Sequence, residues 1–505
     1  MGYGEVFTAA YRTYVARASD ILPFYFFGIA VSAIAQSVPI LVGMIGLVYL
    51  WSTGRLTEIQ EALEDVGPIS IDEPSEAAVD EFSEVQEAIQ EAIGLSVAEL
   101  GIIGILVGVV TLIAIGIMQA AVSAGQIHAA FAATENRLGV SAGVSGVFQH
   151  TKTFVGLLLG EVFAHIAVLG VIGTIIATLA LVSPGLAVVV GVLSMLVWLL
   201  LAAVIRLFFA FAPVVAVVEN TGFSGAVRQT GEYMRKYPGD FLGYTLMTIA
   251  IIVAGGITVG LFSQIGAGSV GLIVYGLIIF PILDLLKVLL YGRTAESTTF
   301  VIVKDFVISP VKRIQMGLKR GWEELMLFTR EQISLVVISA LIFGVALQAG
   351  VSLGTVFSTA LEASIEQRIE EMSPVGSFFE FAANNWSVAV ALSFGGVVLA
   401  IPAVLTLAFN GLFIGVLYEL DADPDLLLAF VIPHGLLEIP GLLLAGATGL
   451  YVGLTCWRYI RGRADRDSLE EMVHRTYLIL IGLIIVFVAA AAIEAFISPY
   501  YWRLF

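Results

Sequence analysis

The chain has 505 residues, 59% hydrophobic and 13% charged, with a mean hydropathy of +0.97. That composition excludes a soluble domain, because the apolar surface exceeds what a core can hide. Its 41 Asp and Glu against 24 Lys and Arg give a formal net charge of -17, which excludes nucleic acid as a partner.

The first twenty residues carry Glu5, Val6, Phe7, Tyr11, Arg12, Tyr14, Val15 and Arg17, a mixed amphipathic helix suited to the membrane interface. They lack the basic cluster, short apolar stretch and small-residue cleavage site of a signal peptide. No charged side chain then occurs between Asp20 and Arg55. Similar runs follow at 100–134, 162–205, 241–283, 332–361, 381–418, 426–457 (interrupted by Glu438) and 476–493. A helix needs about 20 apolar residues to cross a hydrocarbon core of ~30 Å. The runs 162–205 and 241–283 are about twice that length and break at Ser183-Pro184-Gly185 and between Ser263 and Ser269. The expected fold is therefore all-α, a polytopic integral membrane protein of about ten to eleven transmembrane helices.

Basic residues assign the sides. With the N-terminus cytoplasmic and alternating spans, 21 of the 24 Lys and Arg fall inside, and only Arg55, Arg368 and Arg503 fall outside. The inner segments are then 1–20, 124–153, 206–240, 287–331, 417–425 and 458–475. The outer ones are 52–98, turns near 184, 266 and 440, 355–385 and the tail after 497. The 52–98 loop carries twelve acids and one base, and Ala78, Val79, Phe82, Val85, Ile89 and Ile93 recur in it at helical spacing. It reads as an acidic amphipathic helix outside the membrane, a solvated face that could also meet cations or a basic partner. Few lysines (6, against 18 arginines) and acidic loops fit a halophile. Cys456 is alone, so the chain forms no internal disulfide.

A repeated unit organises the first 290 residues: an amphipathic inner segment, then a hairpin of two spans, three times. Gly4-Glu5-Val6-Phe7, Ser145-Gly146-Val147-Phe148 and Ser224-Gly225-Ala226-Val227 open the copies, and Glu135-Asn136 and Glu219-Asn220 precede the second and third. Val311 to Phe328, with Lys312, Arg313, Lys319, Arg320 and Trp322, is a fourth interfacial segment. The first half resembles six-span membrane domains of unknown function found in archaea and bacteria. The boundary falls near 300, giving an N-terminal membrane domain over 1–300 and a second over 301–505.

The second half carries Asn384-Asn385-Trp386, Asn410-Gly411, Ile432-Pro433-His434-Gly435-Leu436-Leu437-Glu438-Ile439-Pro440, and Glu494-Ala495-Phe496-Ile497-Ser498-Pro499. These four motifs, in this order over about 330–500, resemble the stage II sporulation protein M family, here as it would occur in a haloarchaeon. The resemblance implies five spans, expected at 332–354, 386–416, 425–439, 441–457 and 476–497. In spore formers the family member anchors a membrane complex that recruits cell-wall hydrolases. The six-span extension departs from that pattern and puts the client in question.

His434 and Glu438 share one helical face. Pro433, Gly435 and Pro440 around them suggest broken or re-entrant helices near 425–457, which survive in a membrane only where they line protein or a cavity. A charged group near mid-bilayer costs about 2.5–3.5 kcal/mol on insertion scales and calls for a partner. The intramembrane polar site is expected to comprise His434, Glu438, Asn384, Asn385, Asn410 and Glu494, with Glu438 pairing His434 or an asparagine. Three uses compete: interhelical hydrogen bonds, an ion or proton path, and metal ligation in an intramembrane hydrolase, which lacks a second nearby histidine. A secondary polar site comprises Glu161, His165 and Asp284, the last able to pair with Lys287. No cofactor motif, nucleotide loop or nucleophile constellation is present, and no metal or cofactor is expected. The reading that follows is a non-catalytic, multi-pass plasma-membrane scaffold in envelope organisation or membrane remodelling. Its expected partners are the lipid bilayer and other membrane or envelope proteins, including further copies of the chain. The alternative is a secondary transporter or channel centred on His434 and Glu438.

Overall fold

The computed structural model describes residues 2–63, 69–70, 85, 89–90, 93–295, 300–301 and 308–501. Among them, ten helices are long and apolar enough to cross a membrane. Their outer surfaces remain apolar: Leu181 is 89% exposed and Leu200 72%. Such faces are stable against lipid, where every backbone group is satisfied inside the helix. The protein is thus all-α and membrane-embedded, as composition predicts.

The chain divides into two compact units, each built from separated segments. The first comprises residues 1–28, 116–256 and 275–310; the second comprises 29–115, 257–274 and 311–505. Residues 29–115 and 257–274, assigned on sequence to the N-terminal domain, therefore group with the C-terminal segment.

The first helix, α1, runs Tyr3–Ser52 and bends at Arg17 (φ -124°, ψ 23°), so the amphipathic start and the first span are one bent helix. Then come α2 (Arg55–Leu63), β1 (Ile69–Ser70) and α3 (Val97–Thr134). Next, α4 (Gly139–Val182) and α5 (Pro184–Val218) meet at Ser183, whose side chain accepts from the Leu186 amide while Pro184 starts the new helix. After α6 (Phe223–Lys236) and α7 (Pro238–Gln264), α8 (Val270–Val274) leads through a π-turn, Tyr275–Ile279, into α9 (Phe280–Gly292).

In the first unit the two Glu-Asn pairs do the same job. Asn136 ends α3 at φ 60° and Asn220 ends α5 at φ 46°, the left-handed cap that asparagine tolerates. The amides of Arg137 and Thr221 bond back to the Ala132 and Ala216 carbonyls (2.8 and 2.9 Å). The repeat seen in sequence is a repeat of helix termination. An aromatic core surrounds Phe211, whose ring lies 4.7, 5.1 and 5.7 Å from those of Phe241, Tyr244 and Tyr233.

The second unit continues with α10 (Pro310–Glu331), α11 (Ile333–Phe357), β2 (Leu361–Glu362), α12 (Ile365–Glu371) and α13 (Pro374–Gly395). It ends with α14 (Ile401–Leu420), α15 (Pro424–Ile460), α16 (Arg466–Phe496) and α17 (Ser498–Tyr501). The helices of this segment differ from the five expected spans in two places. The run 381–418 is a hairpin of two helices, α13 and α14, turning at Leu399 and Ala400, both left-handed (φ 53° and 64°). The run 425–457 is one helix of 37 residues with Pro433 and Pro440 inside it, so no re-entrant segment forms there. Gly350, Gly411 and Gly415 show α11 and α14 to be parallel, each glycine facing backbone of the other helix.

Sidedness changes accordingly. The Asp421 backbone bridges Ala363, so 417–425 lies on the face of 355–385 and not on the inner face. That segment holds no Lys or Arg, so the charge rule could not place it. On this face β1 pairs in parallel with β2 (Ile69 with Leu361, Ser70 with Glu362). Leu50, Ile59, Leu63, Ile69, Val85, Val356 and Ala360 form a small core there, with Ile89 and Ile93 against it. Of the expected acidic helix, Ala78, Val79 and Phe82 lie outside the described residues.

Candidate functional site: a buried histidine between two carboxylates

The site lies where α15 meets α16. Asp423 caps α15, accepting from the Leu426 amide at 2.9 Å, with Pro424 in the first helical position. Ten residues on, about 15 Å along the helix, stands His434, and one turn further Glu438. α16 runs antiparallel to it: Gly441 packs on Phe487, and His434 meets Glu494 and Ser498. His434 Nε2 lies 3.9 Å from Glu438 Oε2 and 3.8 Å from Glu494 Oε1. On the ring's other side Nδ1 meets the fully buried Ser498 Oγ at 3.1 Å. Phe430 packs edge-on against the ring, its centroid 5.4 Å from the imidazole.

Three features define the chemistry. His434 is 6% exposed. Glu438 Oε2 and Glu494 Oε2 are buried and accept no hydrogen bond among the described residues. One ligand atom from each of the three side chains falls within a sphere of mutual distances up to 4.8 Å. Two carboxylates and an imidazole converge without bonding one another.

Of the six residues expected at the site, the structure brings together His434, Glu438 and, from sixty residues away in the chain, Glu494. It does not bring the asparagines. Asn384 bonds its neighbour Asn385 (3.4 Å), and Asn410 bonds the Thr406 carbonyl one turn back (2.8 Å). Pro433, Gly435 and Pro440 shape a continuous helix here and make no hinge.

The secondary group, in the first unit, is partly assembled. Asp284 pairs with Lys287 (2.6 Å) and accepts from Tyr25 Oη (2.6 Å). Glu161 pairs with Arg206 (3.0 Å), and both pairs line a cavity of about 210 Å³. His165 stands apart, its ring edge-on to Trp198 at 6.5 Å. Two further constellations had no sequence signal. Buried Asp240 accepts from Tyr233 (2.8 Å) and Tyr3 (3.2 Å) and pairs with Arg293. His128 Nε2 and His150 Nδ1 meet at 3.0 Å. His128 also lines a cavity of about 620 Å³ with Asn136, Arg137, Gln149 and Asn220.

Comparison with known proteins bears on the second half. Residues 333–499 match the model of the family described as Stage II sporulation protein M. The motifs read over about 330–500 fall in that segment, which holds α11 to α16. The chain is also similar to an uncharacterized protein of Methanocaldococcus jannaschii, 28% identical over 127 residues, covering 24% of this chain and 71% of that protein. No solved structure matches the chain.

Proposed function

We propose that the segment similar to the Stage II sporulation protein M family acts as a rigid, non-catalytic scaffold in the membrane, holding other membrane or envelope proteins in envelope organisation or remodelling. One observation supports this above all: its helices meet backbone against backbone. Gly350 faces the Leu412 carbonyl, Gly411 the Phe343 carbonyl and Gly415 the Leu347 carbonyl. Across the other seam, Gly449 faces the Leu392 carbonyl and Gly396 the Gly449 carbonyl. Small residues at such seams let helices approach to van der Waals contact, which is what drives association where no hydrophobic force operates. Alternating access requires one bundle to rock against another. Interlocked glycines on two seams oppose that motion and favour a fixed platform.

The transport reading keeps one observation of its own, the His434, Glu438 and Glu494 cluster within a membrane helix pair. Reconstitution separates the two. Protein in sealed liposomes loaded with pH-, sodium- or potassium-sensitive dye is expected to pass no more ion than protein-free liposomes. Flux that disappears in Glu438→Gln would replace the scaffold by a transporter.

A further inference from the structure

We propose that His434, Glu438 and Glu494 form a binding site for one divalent transition-metal ion of the zinc class. Such a site goes beyond the scaffold reading and stands without it.

The distances point to an ion. A shared proton would draw donor and acceptor to about 2.6–3.2 Å, yet His434 Nε2 stands 3.9 and 3.8 Å from the two carboxylates. Ligands around a zinc ion, each about 2.0–2.2 Å from it at tetrahedral angles, lie about 3.4 Å apart. The two histidine–carboxylate spacings are a few tenths of an ångström wider. All three ligand atoms lie within 4.8 Å of one another, so binding requires the glutamate side chains to rotate inward. Glu438 Oε2, the oxygen that faces His434, and Glu494 Oε2, the partner of the oxygen that does, are buried and without a hydrogen bond among the described residues, so both carboxylates have lone pairs to offer such an ion.

Charge selects the valence. Two carboxylates in the low-dielectric interior of a helix bundle are costly unless their charge is matched. A divalent ion with neutral histidine gives zero net charge; a monovalent ion leaves one negative charge. Ligand chemistry then selects the class. Calcium and magnesium take oxygen ligands, whereas an imidazole nitrogen with carboxylates suits zinc and its first-row neighbours. The outer contacts agree. A metal-bound histidine donates its second nitrogen to an acceptor, and Ser498 Oγ stands 3.1 Å from Nδ1, turning Nε2 to the carboxylates. Three protein ligands leave a fourth position for water or a partner's side chain.

The test uses the full chain in mild detergent. EDTA-treated wild-type protein is incubated with zinc chloride, desalted, and its zinc measured by mass spectrometry. One zinc per chain is expected, with a loss of at least tenfold in Glu494→Gln and in His434→Ala. Wild-type protein that retains no zinc, or variants that retain as much as wild type, overturn the proposal. Because a variant can fail to fold, a second measurement uses wild type alone with cobalt(II). Intense visible bands of a four- or five-coordinate nitrogen and oxygen site support the proposal. The weak spectrum of hydrated cobalt overturns it.

Discussion

Gly350 of α11 lies directly on the Leu412 carbonyl of α14, with no room for a side chain between them. Gly344, six residues earlier on the same helix, has nothing within 4 Å of where a Cβ would stand. The same residue type on one helix thus serves two purposes, and substitution tells them apart. Gly350→Ala overpacks the seam and is expected to cost about 1–3 kcal/mol. Gly344→Ala gains helix propensity and is expected to be neutral or stabilising by up to about 1 kcal/mol. Thermal unfolding of both variants in detergent checks the contrast; equal behaviour would remove the basis for a rigid seam.

The paired helix ends in the first unit make a second case. Asn136 and Asn220 both hold left-handed backbone. Alanine keeps the Cβ crowding of left-handed backbone and loses the local side-chain hydrogen bonding by which asparagine tolerates it, so alanine at either position is expected to be less stable than glycine by about 1–2 kcal/mol. Asn136 has an added role, since Arg17 donates to its side chain at 2.8 Å. Thermal unfolding of the four variants should rank alanine below glycine at both sites.

Asp284 gives a third prediction. It faces Lys287 and Tyr25, each at 2.6 Å. Tyr25→Phe deletes a hydrogen bond to a charged group and is expected to cost about 1.5–3 kcal/mol. Asp284→Asn leaves the Lys287 ammonium without its counter-charge and should cost more, about 3–5 kcal/mol. A smaller loss for Asp284→Asn than for Tyr25→Phe, read by denaturation in detergent, would contradict this order.

The cap of α16 supplies a pH dependence. Asp465 accepts from the Ser468 hydroxyl (2.7 Å) and amide (3.0 Å). These bonds, the hydroxyl's first, hold its carboxyl below the ordinary aspartate value. A carboxylate with a lowered folded pKa contributes stability above its unfolded pKa and loses it as pH falls through the folded value. The first turn of α16 should therefore keep its hydrogen-exchange protection near neutral pH and fray in acid below the usual aspartate range. Asp465→Ala should fray it at every pH. Protection that does not change in Asp465→Ala would dismiss the cap.

Much of the fold is legible in the amino-acid sequence. Charge-free runs locate the spans because an uncharged stretch longer than a bilayer has few other places to go. Ser183-Pro184 marks a helix boundary because both residues favour one. Where sequence and structure part, tertiary packing is the cause. Pro433 and Pro440 suggest breaks, yet a membrane helix packed among others keeps its course through proline, its freed carbonyls being satisfied by neighbours. The real turn falls on Leu399 and Ala400, two apolar residues held left-handed by what surrounds them, and neither signals a turn. The candidate site is partly legible: the sequence motifs mark His434, Glu438 and Glu494 alike, whereas the meeting of the three depends on how α16 lies against α15. The asparagines look like partners by polarity alone, and local bonds satisfy them instead.

A scaffold holds partners and moves nothing, and that is the property to test most directly. The measurement is affinity purification of the protein from its native membrane in mild detergent, with the bound proteins quantified by mass spectrometry. A near-stoichiometric membrane or envelope protein is expected, one that remains through washing and is absent from a purification of an unrelated multi-pass protein. A chain that comes away clean would contradict the scaffold role.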